Sequence, residues 1–454
     1  MITRDELTQR VADGFPDAIN QLGSLVRIPS FAGPTAPQGA LDRSAERVAE
    51  LLQGVGASGV EIVRAGGGPG VIGQIGADPA ARTVLLYAHH DVQPVAADWS
   101  TDPFEPQIKD GRLYGRGAAD DAAGIVTHIG ALAALGRDLP VNVRFFIEGE
   151  EESGSPTFGK LLTEHRAALA ADIAVIADSE NRATHIPSLT TSLRGIADLT
   201  VTLRVADHGV HSGMWGGAYL DAPTLVARLI ATLHDADGAV AVGGLEPTGH
   251  SPDVLTEAEL RRSAGLVPSL RLAGRGTLSD RVWWGPAITV TGFDATSVAD
   301  ASNTLQSEAR ARLSLRVPPG LDPRVAQTAL RDHLVAHAPF GAELTIDLGA
   351  SGQGFKADTS GIGYAAASRA LTEAFGAPVE PLGQGGSIPL APELSTVFPD
   401  MEVLITGVED PASRAHAGDE SVSLAMLRRT ILAEALLLTY LGTPSVPPAN
   451  AARR

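Results

Sequence analysis

Hydrophobic positions along the chain follow two rhythms. In the first, short apolar runs alternate with longer stretches that repeat every three to four residues. The runs are Gly70–Ile75, Thr83–Ala88 (TVLLYA), Val141–Ile147 (VNVRFFI), Ile173–Ala177 and Met401–Thr406. Short runs rich in β-branched and aromatic residues predict strands, and TVLLYA, apolar on both faces, suits a covered parallel sheet. The longer periodicity predicts helices over Asp5–Leu25, Leu41–Leu52, Ala122–Leu135, Leu161–Leu169, Ile362–Phe375 and Ser423–Leu441. Strands alternating with helices predict an α/β sheet.

The second rhythm begins after about Leu193. Ile196–Val205 alternates apolar and polar residues, as a half-exposed strand does. Ala287–Thr291, Ala309–Val317 and Leu344–Leu348 also predict strands, with helices over Leu220–His234 and Pro323–His337. This pattern predicts an inserted, mostly antiparallel α+β domain. The glycine-rich Gly349–Gly354 (GASGQG) is expected to be the return linker. The expected organisation is a first domain over 1–192 and 355–454, with the insertion at 193–354. Gly238–Pro252 carries no clear pattern.

Composition narrows the possibilities. A chain of 454 residues is too long for one ordinary core. With 44% hydrophobic and 19% charged residues it is globular, not disordered. Its net charge of -18, without a basic block, argues against a nucleic-acid partner and an anionic membrane surface. No cysteine is present, so any metal must sit on His, Asp and Glu. The N-terminal stretch is amphipathic, charged throughout and unlike a signal peptide, and no stretch is long and apolar enough to span a bilayer. A soluble, cytoplasmic protein is expected.

The chemistry collects where the apolar runs stop. TVLLYA runs into His89-His90-Asp91, and VNVRFFI into Glu148, Glu150, Glu151 and Glu152. IAVIA runs into Asp178, MEVLIT is followed after a loop by His416, and Asp120-Asp121 precedes a helix. Adjacent carboxylates at the mouth of a buried strand need protons, arginines or a metal to neutralise them. Each group alone has a bland reading as a surface pair, a helix cap, a turn former or a loop histidine. In open α/β sheets, however, ligands bind at the carboxyl ends of the strands. Two histidines with three or more carboxylates there fit a co-catalytic zinc pair bridged by a carboxylate. Asp91, two residues from His89, lies on the same side of the strand and suits a carboxylate that orients the imidazole.

These blocks, YAHHDVQP, LYGRGAADD, EGEEESGS, IADSE, HSGMWGG, GQGGSIP and RAHAGDE, occur in one order. In that order the chain resembles the zinc metallopeptidase family of carnosinases, bacterial dipeptidases, aminoacylases, glutamate carboxypeptidases and succinyl-diaminopimelate desuccinylase. YAHHDVQP, DPFEP and EEESGS lean towards the carnosinase-like dipeptidase branch.

The resemblance implies a phosphorylase/hydrolase-like catalytic domain with a mostly parallel central sheet. It also implies an inserted ferredoxin-like lid and dimerisation domain. His89 and Asp178 would hold one zinc, Glu152 and His416 the other, and Asp120 would bridge them, with a cis peptide bond to Asp121. Zinc is the expected metal, with manganese or cobalt as alternatives. Glu151 would be the general base and Asp91 would steady His89. His211 would act across a homodimer on the scissile carbonyl. Asn303, Arg316, Gly386 and Ser387 would contact substrate, with Arg316 on its terminal carboxylate. The implied activity is hydrolysis of dipeptides or short peptides with a free C-terminal carboxylate. Two alternatives stand: an N-acyl-amino-acid deacylase with the same metal chemistry, and a non-catalytic binding protein on the same fold. One departure from the family pattern is Ala122-Ala123, where Lys-Gly is usual.

Overall fold

The structure is a computed structural model and describes residues 2–443 apart from 34, 96–97, 252–253 and 386–389. The chain divides into two compact units. One comprises Met1–Thr191, Ala357–Leu382 and Leu390–Arg454; the other comprises Ser192–Lys356 and Gly383–Pro389.

The first unit is built on a six-stranded sheet. Its order is Ser58–Val63, Gly70–Ile75, Asn142–Glu148, Thr83–His89, Ile173–Ile176, Glu402–Ile405. The last four strands run parallel, and the first two continue the sheet antiparallel. Parallel strands need helical crossovers on the faces, so the central runs are apolar on both sides. Val84, Leu86, Val143, Phe145, Ile173 and Val175 are accordingly buried. Helices Arg4–Val26, Ala122–Leu135, Ile362–Phe375 and Leu424–Leu441 supply one packed core with these strands.

Local rules explain the helix ends. Thr3 and Glu6 form a capping box at the start of Arg4–Val26. Asp121 caps Ala122–Leu135 by accepting the N–H of Gly124 at 3.1 Å. Apart from the buried Thr127 and His128 that helix is apolar all round, and such a helix belongs in the interior. The single helix expected over Leu161–Leu169 is two pieces, Phe158–Glu164 and Arg166–Leu169, broken at His165. The strand Ser58–Val63 had no sequence signal, because it is a largely exposed edge without alternation.

The second unit is a four-stranded antiparallel sheet. Its order is Ala287–Asp294, Glu308–Val317, Gly195–Arg204, Glu343–Gly352. Helices Ala222–Ala231 and Pro323–Ala336 cover one face, against Leu199, Val201, Leu313 and Leu315. Strand Glu343–Gly352 runs through most of the glycine-rich stretch expected to be the linker. A register shift between Leu348 and Ser351 lets pairing resume there. Helices Glu257–Ser263 and Leu278–Trp283 are capped by Thr256 and Thr277. Among the described residues, no helix is long and apolar enough to cross a membrane.

Candidate metal centre

In the first unit, the carboxyl ends of the parallel strands bring together the residues singled out from the sequence. His89 closes Thr83–His89, Glu148 closes Asn142–Glu148, and Asp178 follows Ile173–Ile176 by two residues. The Nε2 of His89 lies 2.9 Å from Oδ1 of Asp120 and 4.0 Å from Oδ2 of Asp178. The Nε2 of His416 lies 2.9 Å from Oδ2 of Asp120 and 3.2 Å from Oε2 of Glu152. Asp120 thus turns one oxygen to each imidazole. Two donor sets result, His89/Asp120/Asp178 and Asp120/Glu152/His416, each with its donor atoms within 4.8 Å of one another.

The surroundings orient these donors. The Nδ1 of His89 is 3.0 Å from the carbonyl oxygen of Asp91, which can only accept. That nitrogen therefore carries a proton, and Nε2, which in the metal-free site donates to Asp120, is the atom turned towards Asp120 and Asp178 and the one that could give up its proton to a metal. This is the arrangement that second partners impose on metal-ligating histidines. The Asp91 carboxylate accepts the N–H groups of Glu151 and Glu152 at 3.1 and 3.0 Å. Gln93 donates its side-chain amide to Oε2 of Glu152 at 2.7 Å. The Asp120–Asp121 peptide bond is cis. Asp121 accepts the N–H of His89 at 3.2 Å.

The His416 segment is tied to the Asp120 segment. Strand Ser421–Ser423 pairs with Arg112–Tyr114, bringing the two stretches side by side. Just before it, Glu420 is fully buried and accepts from Arg116 Nη1 at 2.7 Å, Gly117 N at 3.0 Å, Ala119 N at 2.9 Å and Asp120 N at 3.2 Å. Gly418 has no room for a side chain, since a Cβ would lie 2.4 Å from the Asp98 carbonyl oxygen. His416 itself sits at φ 64°, the left-handed region that few non-glycine residues occupy.

Charge explains what this cluster can hold. Burial pushes Glu151 up to about 8, with Asp178, Glu152 and Asp120 adding to the effect. Burial likewise pushes Asp178 up to about 7, and it holds Asp121 and Glu409 well above the usual carboxylate range. His89 is raised despite its burial by Asp120 and Asp91, and His416 is raised to about 11 by Asp120 and Glu152. Asp120 moves the other way, lowered by both histidines against its own burial. Buried carboxylates thus outnumber the cations beside them, so the site favours added positive charge. Imidazole nitrogens and carboxylate oxygens without thiolates are the donors of a hydrolytic zinc or manganese site. The residues present fit a pair of divalent cations.

Other residues of the acidic stretch do structural work. Glu148 accepts from the Tyr87 hydroxyl at 2.7 Å, and Glu150 accepts from Gly68 N at 2.8 Å and Thr157 N at 2.7 Å. His90 turns aside and donates to the Pro69 carbonyl at 2.8 Å. The remaining predicted site residues lie in the second unit. His211 accepts the N–H of Gly213 through Nδ1 at 3.1 Å and caps the short turn Ser212–Trp215. The Asn303 carbonyl accepts the N–H of Ser212 at 2.8 Å, and Arg316 lies near the end of Glu308–Val317. Gly386 and Ser387 lie outside the described residues. Sequence reading missed Gln93, Arg116, Glu409 and Glu420. Gln93, Arg116 and Glu420 lie inside the blocks YAHHDVQP, LYGRGAADD and RAHAGDE, and that placement was the available signal.

Comparison with known proteins gives a consistent picture. The model of Peptidase family M20/M25/M40 matches residues 85–439. A cysteinylglycine-S-conjugate dipeptidase of Corynebacterium striatum is 37% identical over 372 residues, 79% of this chain and 81% of that protein. A Beta-Ala-His dipeptidase of Rattus norvegicus is 29% identical over 345 residues, 71% of this chain and 70% of that protein. The solved structure of the di-peptidase Dug1p from Saccharomyces cerevisiae matches with a TM-score of 0.77 at 23% identity, over 98% of this chain and 99% of that chain. That last likeness shows the fold.

Proposed function

The chain belongs to Peptidase family M20/M25/M40, and from that premise we propose that it is a two-zinc dipeptidase acting on substrates with a free C-terminal carboxylate. The observation that carries this reading is the division of Asp120 between His89 and His416, one oxygen 2.9 Å from each Nε2. A carboxylate whose two oxygens face different histidines is suited to bridging two cations. The dipeptide class is supported by relatives named as cysteinylglycine-S-conjugate and Beta-Ala-His dipeptidases.

In this reading His89 and Asp178 would hold one ion, Glu152 and His416 the other, and Asp120 would contribute to both. Bound there, divalent ions would supply Lewis-acid polarisation of the scissile carbonyl and would make a water acidic enough to attack at neutral pH. Glu151 takes the proton of the attacking water and passes it to the departing amine. Its backbone N–H is held by the Asp91 carboxylate at 3.1 Å, next to Glu152, which places its side chain beside the donor sets. Asp91 keeps the Glu151–Glu152 turn and the His89 ring in place. His211, capping its turn through Nδ1, keeps Nε2 available to donate towards the carbonyl oxygen, and we assign this role across a homodimer. Arg316 takes the substrate carboxylate, with Asn303, Gly386 and Ser387 beside the substrate.

The test is reconstitution. Protein stripped by a chelator and reloaded with zinc, manganese or cobalt is offered dipeptides and N-acyl amino acids in parallel. Recovery of dipeptide hydrolysis with two bound ions per chain is expected. Preference for N-acyl amino acids would make it a deacylase. Failure to retain any divalent metal, with no chelator-sensitive hydrolysis, would overturn the proposal.

A further inference from the structure

The open face of the second unit's sheet carries a row of arginines that are not treated alike. Along Glu308–Val317 the side chains alternate, with Ala309, Ala311, Leu313 and Leu315 packed in the core and Arg310, Arg312 and Arg316 on the other face. Arg312 pairs with Asp198 at 2.9 Å, and Arg310 approaches Asp294 at 3.9 Å. Among the described residues Arg316 makes no ion pair. Directly across the sheet from Arg316 is Ile196, two residues from Arg194.

Arg194 is the more unusual of the two. Only 9% of it is exposed, and among the described residues it too has no carboxylate partner. Its contacts are backbone carbonyls, Gly285 through Nη1 at 3.3 Å and Gly385 through Nε at 3.4 Å. Gly285 stands two residues before Ala287, which pairs with Arg316 on its other side. Burial and the Arg316 charge together lower Arg194 to about 10. A buried guanidinium is costly without a counter-ion, and a second like charge close enough to be felt adds to that cost. An arriving carboxylate relieves both at once, and guanidinium forks bind carboxylates with two parallel hydrogen bonds.

We propose that Arg194 is the second guanidinium of the carboxylate site, holding the substrate's terminal carboxylate together with Arg316. This deepens the proposed function and rests on its assignment of Arg316. Arg194 is then a specificity-determining residue. It discriminates a peptide ending in a free carboxylate from one ending in an amide.

The experiment compares Ala-Gly with Ala-Gly amide on the metal-loaded full chain, and measures inhibition by free glycine against glycinamide. Arg194→Gln should raise KM for Ala-Gly and Ki for glycine by about tenfold or more while leaving kcat within about threefold. The constants for the two amides should move by no more than about twofold. Arg194→Lys, which keeps the charge without the fork, should fall between. Arg316→Gln serves as the reference. If Arg316→Gln discriminates carboxylate from amide and Arg194→Gln does not, the proposal is overturned and the proposed function stands. If Arg194→Gln weakens carboxylate and amide ligands equally, Arg194 only braces the Gly285 and Gly385 backbone and the proposal fails. If neither variant discriminates, the assignment of Arg316 fails with it.

Discussion

The carboxylate of Asp91 accepts the backbone N–H of Glu151 at 3.1 Å, and its second oxygen accepts that of Glu152 at 3.0 Å. Because the Asp91 carbonyl also receives Nδ1–H of His89, one residue sets the ring of a proposed ligand and the turn bearing the proposed base. Asp91→Ala frees two N–H groups and removes the carboxylate oxygen 3.5 Å from Nδ1 of His89, while the backbone carbonyl that receives Nδ1–H stays. Metal affinity should fall by about 10- to 100-fold, the usual effect of losing a ligand's supporting partner. Metal titration of chelator-treated protein measures it, and Asp91→Asn should lose less.

Glu151 is the residue placed to move protons. Glu151→Gln keeps the volume and the Asp91 hydrogen bond, which uses only the backbone. Metal content should therefore stay at the wild-type level while kcat falls by about 10²- to 10⁴-fold. Metal analysis and steady-state kinetics on the same preparation separate the two effects. Wild-type turnover would assign the proton transfer elsewhere.

The acidic cluster makes metal-free protein sensitive to pH in a definite direction. Glu151, Asp178, Glu420 and Glu148 all have folded pKa values raised to about 7 or 8, chiefly by burial. His89 and His416 are raised as well, by the carboxylates beside them. The folded state therefore binds more protons than the unfolded chain between pH 5 and 8, and stability falls as pH rises. Asp120, lowered, acts only at acid pH. Thermal unfolding of stripped protein should show a midpoint that declines steadily from pH 5 to 8. Divalent cations take the place of these protons, so added zinc should flatten or reverse the decline. A midpoint insensitive to zinc at pH 8 would contradict the cation-pair reading.

Much of this arrangement could be read in the sequence, for a physical reason. A strand buried on both faces has no use for a histidine or a carboxylate, so polar residues where such a strand stops mark the sheet's working edge. His89, Glu151, Glu152 and Asp178 were found that way. His416 and Asp120 sit on loops without periodicity, and only their places, after the MEVLIT run and ahead of a predicted helix, and the blocks around them singled them out. The supporting residues were hidden because their partners are remote in the chain. Glu420 meets Asp120 across 300 positions, and nothing local in either segment records the pairing. Glu148 and Glu150 were counted with the acidic group, but they bind Tyr87 and the Gly68–Thr157 backbone.

Glu420 is the clearest of these hidden supports. Its carboxylate gathers four donors from the Arg116–Asp120 segment, and it lies four residues after His416. Glu420→Gln replaces one acceptor oxygen with an N–H₂ donor and leaves the Arg116 charge buried without its anion. Removing one partner of such a pair costs about 3–5 kcal/mol. Urea unfolding should report that loss, and metal titration should show weaker binding at the same time, since Asp120 and His416 lose their common anchor. Unchanged metal affinity in a destabilised variant would confine Glu420 to a folding role.

A second buried pair lies deeper in the same unit. His128, on Ala122–Leu135, places Nδ1 2.8 Å from a carboxylate oxygen of Glu434 and Nε2 3.0 Å from the Tyr87 carbonyl oxygen. Both partners can only accept, so both ring nitrogens must donate and the ring is a cation. Attraction to Glu434 raises its pKa in spite of burial. A histidine with a raised folded pKa contributes stability that is complete below its unfolded value, about 6.5, and is lost as pH rises through the folded value. Glu434→Gln should cost about 3–5 kcal/mol near pH 6 by leaving a buried charge unpaired. That difference from wild type should shrink at alkaline pH, where the wild-type ring also loses its proton. His128→Leu combined with Glu434→Leu removes both charges and should recover most of the loss, because an apolar pair of similar volume escapes the desolvation cost. Nitrogen shifts of the His128 ring provide the direct check, and a single protonated nitrogen at pH 7 would show that the pair is not ionic.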